Sequence, residues 1–281
     1  MKIAESTGAL QGTIKEWRKQ GLSIGFVPTM GNLHAGHISL VNEAREICDK
    51  VVVSIYVNPL QFNEASDFES YPVTLKDDQA KLEKAQADLL FLPNSDVMYP
   101  EGEKSVSKVS VPDIGDMLEG ECRPGHFDGV ATVVNKLFNM VQPDTAFFGQ
   151  KDYQQLLLVK KMVRDLNMPV TIQSVKTQRE ADGLAMSSRN SRLTAMQRKQ
   201  AALIYSTLQW LVERLKDATV DVPELERQAI EKLNTAGFET EYVSLRSSDN
   251  LKPLRSPESG AILLVAARLG DVRLIDNLMC S

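Results

Sequence analysis

The stretch KVVVSIYV, residues 50–57, is apolar at nearly every position. A strand with one face in water alternates apolar and polar side chains, whereas a strand without alternation must be covered on both faces. Such a strand belongs inside a parallel sheet, with helices above and below it. The neighbouring segments supply the rest of that pattern. SIGFVP (23–28) reads as a strand, residues 35–47 as a helix with Leu40, Val41 and Ala44 on one face, and residues 74–87 as a charged amphipathic helix. DLLFL (88–92), TAFF (145–148) and VTIQSV (170–175) read as further strands, with helices over residues 127–141 and 153–166. Repeated β-α-β units at this spacing predict an α/β fold, a Rossmann-like doubly wound parallel sheet with right-handed crossovers.

Two irregular stretches, residues 58–71 and 93–126, are rich in Pro, Gly, Asn and Asp, and each follows a predicted strand. Loops beyond the carboxyl ends of parallel strands are where open α/β sheets bind ligands. After about residue 177 the grammar changes. One long helix is expected over residues 194–216, a second over 222–234, a strand over 239–245, and a hairpin turning on Gly270 between residues 260–269 and 271–278. The expectation is two domains, residues 1–176 and a smaller α+β domain over residues 177–281.

Composition narrows the function. A hydrophobic fraction of 43% and a charged fraction of 25% are those of an ordinary globular protein with a buried core. The net charge of −5, without any Lys/Arg block, argues against a nucleic-acid footprint, while a local positive pocket for a small anion stays open. Cys48, Cys122 and Cys280 are scattered, odd in number and without metal-type spacing, which suits reduced thiols in the cytoplasm. The first residues show no apolar run followed by a cleavage site, and no run approaches the ~20 residues that span a bilayer. No membrane partner is expected.

FVPTMGNLHAGH, residues 26–37, reads as a strand, a Gly-containing turn and a helix start. A helix start presents unpaired N–H groups and about half a positive charge to an anion. His34 and His37 share one face of its first turn and can donate hydrogen bonds near neutral pH. A capped helix with two solvent-facing histidines has the same letters. A zinc pair lacks a third ligand with suitable spacing, and neither G-x-G-x-x-G nor G-x-x-x-x-G-K-[ST] occurs here. In FGQKD (148–152), Lys151 follows a predicted strand end, where a lysine can reach a phosphate as a point charge. Asp152 reads equally well as the N-cap of the next helix.

The strand–turn–helix opening with H-x-G-H resembles the signature of nucleotidyltransferases and class I aminoacyl-tRNA synthetases. FGQKD (148–152), READGLAMSSRN (179–190), YVNPLQFN (56–63) and CRPGHFDGV (122–130) stand in the order found in the pantothenate synthetase family. The chain resembles that family densely to about residue 195 and more loosely beyond. The resemblance implies a homodimeric ligase that uses ATP and Mg2+ to condense (R)-pantoate with β-alanine. Pantoyl adenylate would be the intermediate, with pyrophosphate and AMP released and the C-terminal domain acting as a lid.

Carried onto this chain, the family pattern assigns ATP binding to Met30, Gly31, Asn32, Leu33, His34, Ala35, Gly36 and His37. Gly149, Gln150, Lys151, Asp152, Gln178 and the loop of Met186, Ser187, Ser188 and Arg189 complete that set. Catalysis falls to His37, His34, Lys151 and Arg189. The proton-donor role matches His37, although the residues alone do not separate it from His34. The MSSR loop is similar to the K-M-S-K-S loop of the synthetases, a mobile element that closes over a triphosphate. Pantoate and β-alanine are assigned to Gln61 and Gln155, with Asn58, Pro28, Thr29 and Met30 around them. Neutral two-ended amides suit a hydroxy-acid whose carboxylate must stay nucleophilic.

Arg123 and His126 have two readings: contact with the phosphates or the β-alanine carboxylate, or solvated loop residues. Asp77 is a candidate Mg2+ ligand, and a charged helix face explains Asp77 and Asp78 equally well. The chain departs from the family at Gln178, where Val or Ile is usual, and a tuned ATP affinity is expected. The strand over residues 51–57, or loops near it, is a candidate dimer surface. Two rivals stand beside the ligase: a nucleotidyltransferase that stops at a nucleotidyl product, and a non-catalytic nucleotide-binding regulator. A tRNA synthetase is disfavoured by the acidic balance.

Overall fold

The computed structural model describes residues 1–63, 65–217, 219–256 and 258–280. They form two compact units, residues 1–150 with 155–176, and residues 151–154 with the chain from Thr177 onward. In the first unit the order is β1 (Lys2–Ala4), α1 (Thr7–Lys19), β2 (Ile24–Thr29), α2 (Ala35–Ile47), β3 (Lys50–Ile55), α3 (Ala65–Glu69) and α4 (Leu75–Lys84). It continues through β4 (Leu89–Phe91), α5 (Ser95–Met98), α6 (Glu119–Cys122), α7 (His126–Val141), β5 (Thr145–Gly149), α8 (Tyr153–Asp165) and β6 (Thr171–Val175).

The six strands pair in the order β1-β4-β3-β2-β5-β6, and every pairing is parallel. The chain winds outward from β2 through β3 to β4, then returns and winds the other way through β5 and β6. That is the doubly wound arrangement, with its reversal between β2 and β5. Adjacent residues of a strand face opposite sides of the sheet. Val27 joins Leu40, Val41 and Ala44 of α2 and Leu82 of α4 in one buried cluster. Phe26 faces the other way and meets Phe138 of α7 edge-on at 6.3 Å, and Phe138 meets Phe148 likewise. Helix α1 packs beside α7 and buries Leu10, Ile14 and Trp17.

Three findings differ from the sequence reading. First, β1 and α1 are absent from it, yet Ser6 caps α1 by accepting from the Ala9 N–H, and the buried residues fall at i, i+4 and i+7. Second, β3 lies between β2 and β4, so its edges are paired and Val51, Val52 and Val53, buried within the unit, face no partner chain. Third, the long helix over residues 194–216 is two helices, α9 (Ala195–Ala201) and α10 (Leu203–Arg214). Ala202 separates them: its N–H bonds the Gln200 carbonyl, while its backbone stays right-handed.

The second unit also contains α11 (Val222–Thr235), β7 (Glu239–Ser247), β8 (Ala261–Leu269) and β9 (Val272–Met279). The last three make an antiparallel sheet in the order β7-β8-β9. Leu208 and Leu211 of α10 and Leu225, Ala229 and Leu233 of α11 cover the face that presents Leu245, Leu263 and Val265. The Phe147 ring is fully buried in the first unit's core. Replacing it leaves a cavity as well as losing transfer energy, so Phe147→Ala is expected to cost about 3–5 kcal/mol. Urea unfolding followed by far-UV circular dichroism measures that loss.

Candidate active site

The winding reverses between β2 and β5, and open α/β sheets bind ligands beyond the carboxyl ends of the strands at such a reversal. The end of β2 carries Pro28 and Thr29, then Met30, Gly31, Asn32, Leu33 and His34 before α2 begins at Ala35. This turn is held by bonds from elsewhere in the unit. Asp78 of α4, buried to 1% exposure, accepts from the Asn32 and Leu33 amides at 2.8 Å each. Lys81 Nζ donates to the Leu33 carbonyl at 2.7 Å, and the Gly31 N–H donates to the Thr29 hydroxyl at 3.2 Å. Gly31 has φ +84°, and a Cβ there would lie 3.1 Å from Ile55 and 3.2 Å from Asp78. Glycine tolerates both the conformation and the crowding.

The two histidines cap α2 themselves. His34 is the N-cap residue, and its Nδ1 accepts from the Gly36 N–H at 3.1 Å. His37 Nδ1 accepts in turn from the His34 N–H at 3.3 Å, and the ring centroids are 4.1 Å apart. A ring nitrogen that accepts carries no proton, so each neutral imidazole has its N–H at Nε2. The helix start therefore presents oriented donors where its own dipole favours an anion. The atoms that cap the helix are the ones that the anion-site expectation names.

A second cluster forms around the loop after β3. Asn58 is buried, and its Nδ2 donates to Gln61 Oε1 and to the Gly129 carbonyl, both at 3.1 Å. The Tyr99 hydroxyl donates to Asn58 Oδ1 at 2.7 Å, and burial pushes that hydroxyl well above the usual tyrosine range, so it remains a donor. Gln61 Nε2 lies 3.2 Å from Met30 Sδ. The Gln61 carbonyl accepts from His126 Nδ1 at 2.7 Å and from Arg123 Nη2 at 3.2 Å. Arg123 Nη1 stands 3.2 Å from His126 Nε2. Arg123 and His126 thus converge on the backbone of Gln61. Helix α7 approaches this loop so closely that a Cβ on Gly129 would fall 2.3 Å from the Leu60 carbonyl oxygen.

Gln155 stands half-buried near the start of α8, and Gln150 Nε2 lies 3.5 Å from the Ser174 hydroxyl. Asp77 is exposed in the first turn of α4 beside the buried Asp78. Among the described residues, no group of three His, Cys, Asp or Glu side chains is arranged to hold a metal ion.

The second unit holds Lys151, whose Nζ lies 3.4 Å from Asp152 Oδ1. Asp152 closes a three-residue 3-10 turn ahead of α8. The Gln178 carbonyl accepts from the Met186 N–H at 2.9 Å, and Arg179 and Ala185 form an antiparallel bridge. Residues 178–186 are therefore a small hairpin. Ser187 then caps a 3-10 turn, Ser188–Arg192, by accepting from the Arg189 N–H, and Asn190 Nδ2 donates to the Ala185 carbonyl at 3.0 Å. The MSSR stretch is folded on itself, with Met186 at the end of the hairpin and Ser188 and Arg189 inside the turn.

Asp78 holds the turn after β2, and Tyr99 and Gly129 hold the loop after β3, parts that the sequence reading did not give them. A signal existed for Asp78, which lies on the same helical stripe as the buried Leu82, four residues on. Tyr99 and Gly129 act through partners far away in the chain. Replacing a buried carboxylate that accepts two amides leaves one of them poorly paired, so Asp78→Asn should lower stability by about 1–3 kcal/mol. A thermal melt followed by near-UV circular dichroism reads this directly.

Comparison with known proteins now bears on the whole chain. The family model described as pantoate–β-alanine ligase matches residues 2–279. A pantothenate synthetase of Aeromonas hydrophila is 48% identical over 277 residues, covering 99% of this chain and 97% of the relative. One from Shewanella piezotolerans is 49% identical over 279 residues, covering 99% of both chains. Among solved structures, pantothenate synthetase from Thermus thermophilus superimposes with a TM-score of 0.92 at 43% identity, over 100% of this chain and 99% of that one. The Francisella tularensis pantoate–β-alanine ligase, solved with an ATP compound and β-alanine, gives a TM-score of 0.85 at 37% identity over 100% and 98% of the two chains. With full-length matches of this quality, the chain belongs to the pantoate–β-alanine ligase family.

Proposed function

We propose that this enzyme condenses (R)-pantoate with β-alanine at the expense of ATP, through pantoyl adenylate. The observation that carries the reading is the pair of imidazoles capping α2 at the end of β2, in a chain of this family. A carboxylate does not react with an amine, because oxide would have to leave. In the first step a pantoate oxygen attacks the α-phosphorus and pyrophosphate departs. Negative charge grows on the phosphoryl oxygens, and oriented Nε2–H donors with a helix N-terminus supply what stabilises it. His37 and His34 are assigned this role, with His37 as proton donor. Lys151 and Arg189 are assigned to the phosphates, and Met30–Gly36, Gly149, Gln150, Asp152, Gln178 and Met186–Ser188 to ATP binding. In the second step the β-alanine nitrogen attacks the acyl carbon, and AMP leaves with the electron pair of the broken C–O bond.

Gln61, Gln155 and Asn58 are assigned to pantoate, with Pro28, Thr29 and Met30 beside it. Arg123 and His126 are assigned to this half of the site through the Gln61 carbonyl, which both of them contact. Mg2+ is proposed to enter on the triphosphate, which supplies most of its ligands and whose charge it would neutralise. Asp77 is the carboxylate offered to it. The protein is also proposed to be a cytoplasmic homodimer. Its cysteines are free thiols, and among the described residues no helix is long and apolar enough to cross a membrane.

Product analysis tests the reaction. AMP and pantothenate should accumulate together and only when β-alanine is present, and pyrophosphate release without pantothenate would sink the ligase reading. His37→Ala is expected to slow adenylation by about 10²-fold or more in single-turnover kinetics, the scale of a lost acid or transition-state donor. Gly129→Ala should displace the Leu60–Gln61 backbone and raise KM for pantoate about tenfold or more, leaving KM for ATP within a factor of about two. Initial-rate kinetics with each substrate varied will show the split.

A further inference from the structure

Asp276 and Asn277 are adjacent on β9, both buried, and neither has a role in the reaction above. Asp276 faces Arg179, whose Nη1 and Nη2 donate to its two oxygens at 2.6 and 3.0 Å. The same guanidinium donates to the Gly183 carbonyl at 3.0 Å and to the Asn277 carbonyl at 3.1 Å, and it lies 3.9 Å over the Tyr205 ring. Arg179 therefore serves as a strut between the 178–186 hairpin and the last strand. Burial pushes the Asp276 carboxyl upward and the Arg179 charge pulls it back, so each partner needs the other.

Asn277 points from the opposite face of the strand. Its Nδ2 donates to the backbone carbonyl of Lys151 at 2.8 Å, across 126 positions in sequence. A carbonyl only accepts, so the amide nitrogen, not its oxygen, must face it. Lysine acts as a point charge on a long flexible stem, and the useful reach of its ammonium depends on where its Cα is held. Here that anchor is a strand itself braced by a buried ion pair.

We propose that Asn277 is a positioning residue that fixes the backbone of Lys151 and thereby sets the grip of the lysine on the ATP phosphates. The proposal rests on the assignment of Lys151 to ATP. Two variants test it, Asn277→Asp, which sets an acceptor against the Lys151 carbonyl, and Asn277→Ala, which adds no charge and guards against a misfolded first variant. Each should raise KM for ATP, and the Kd for ATP measured by calorimetry, about tenfold, the scale of one lost buried bond. KM for pantoate and for β-alanine should stay within a factor of about two. In a Lys151→Ala background the same changes should add nothing further, because the group they act through is gone.

ATP affinity equal to the parent's, equal changes in all three KM values, or a full effect that persists without the Lys151 side chain would each overturn the role of Asn277. Parent enzyme that makes no AMP from ATP, pantoate and β-alanine would instead overturn the assigned reaction.

Discussion

A parallel sheet covered on both faces has no wet surface on which to build chemistry. In the first unit Val27 and its neighbours fill one side and Phe26, Phe138 and Phe148 the other, so the polar residues of the site stand at the strand ends. The winding reverses between β2 and β5, the point at which open α/β sheets bind ligands beyond their strand ends. The histidine turn follows the first, and Gly149 and Gln150 mark the second. The position of the candidate site is thus a consequence of how the sheet excludes water.

Local physics then orients the groups. His34 and His37 satisfy orphan amides at the start of α2, and that same act places the proton of each neutral ring on Nε2. Asp78 and Lys81 tie the preceding turn to α4. Around Gln61 the network of Asn58, Tyr99, Arg123 and His126 pins one loop from several directions. Arg123 donates to the Gln61 carbonyl and stands 3.2 Å from His126 Nε2.

Much of this was legible in the letters because the signals are local. The apolar run in β3, the stripe of Leu40, Val41 and Ala44, and the turn at Gly270 depend on residues a few positions apart. Helix α1 is equally local, with Ser6 as its cap and Leu10, Ile14 and Trp17 on one face. Ala202 carries no breaking residue, so the division of α9 from α10 is a property of the folded unit. The need for glycine at 129 exists only because Leu60 is brought against α7.

What the sequence determined by itself was the class of fold, the order of most of its elements and, by resemblance, the family whose motifs it carries. The first two are written in periodicity along the chain, and the third rests on the resemblance of whole motifs. Tertiary structure decided which polar residues support the site. Asp78 holds a turn 45 positions away, His126 reaches a carbonyl 65 positions away, and Asn277 holds Lys151 across 126. Burial and partnership of a polar group depend on what folding brings beside it, and no local pattern records that.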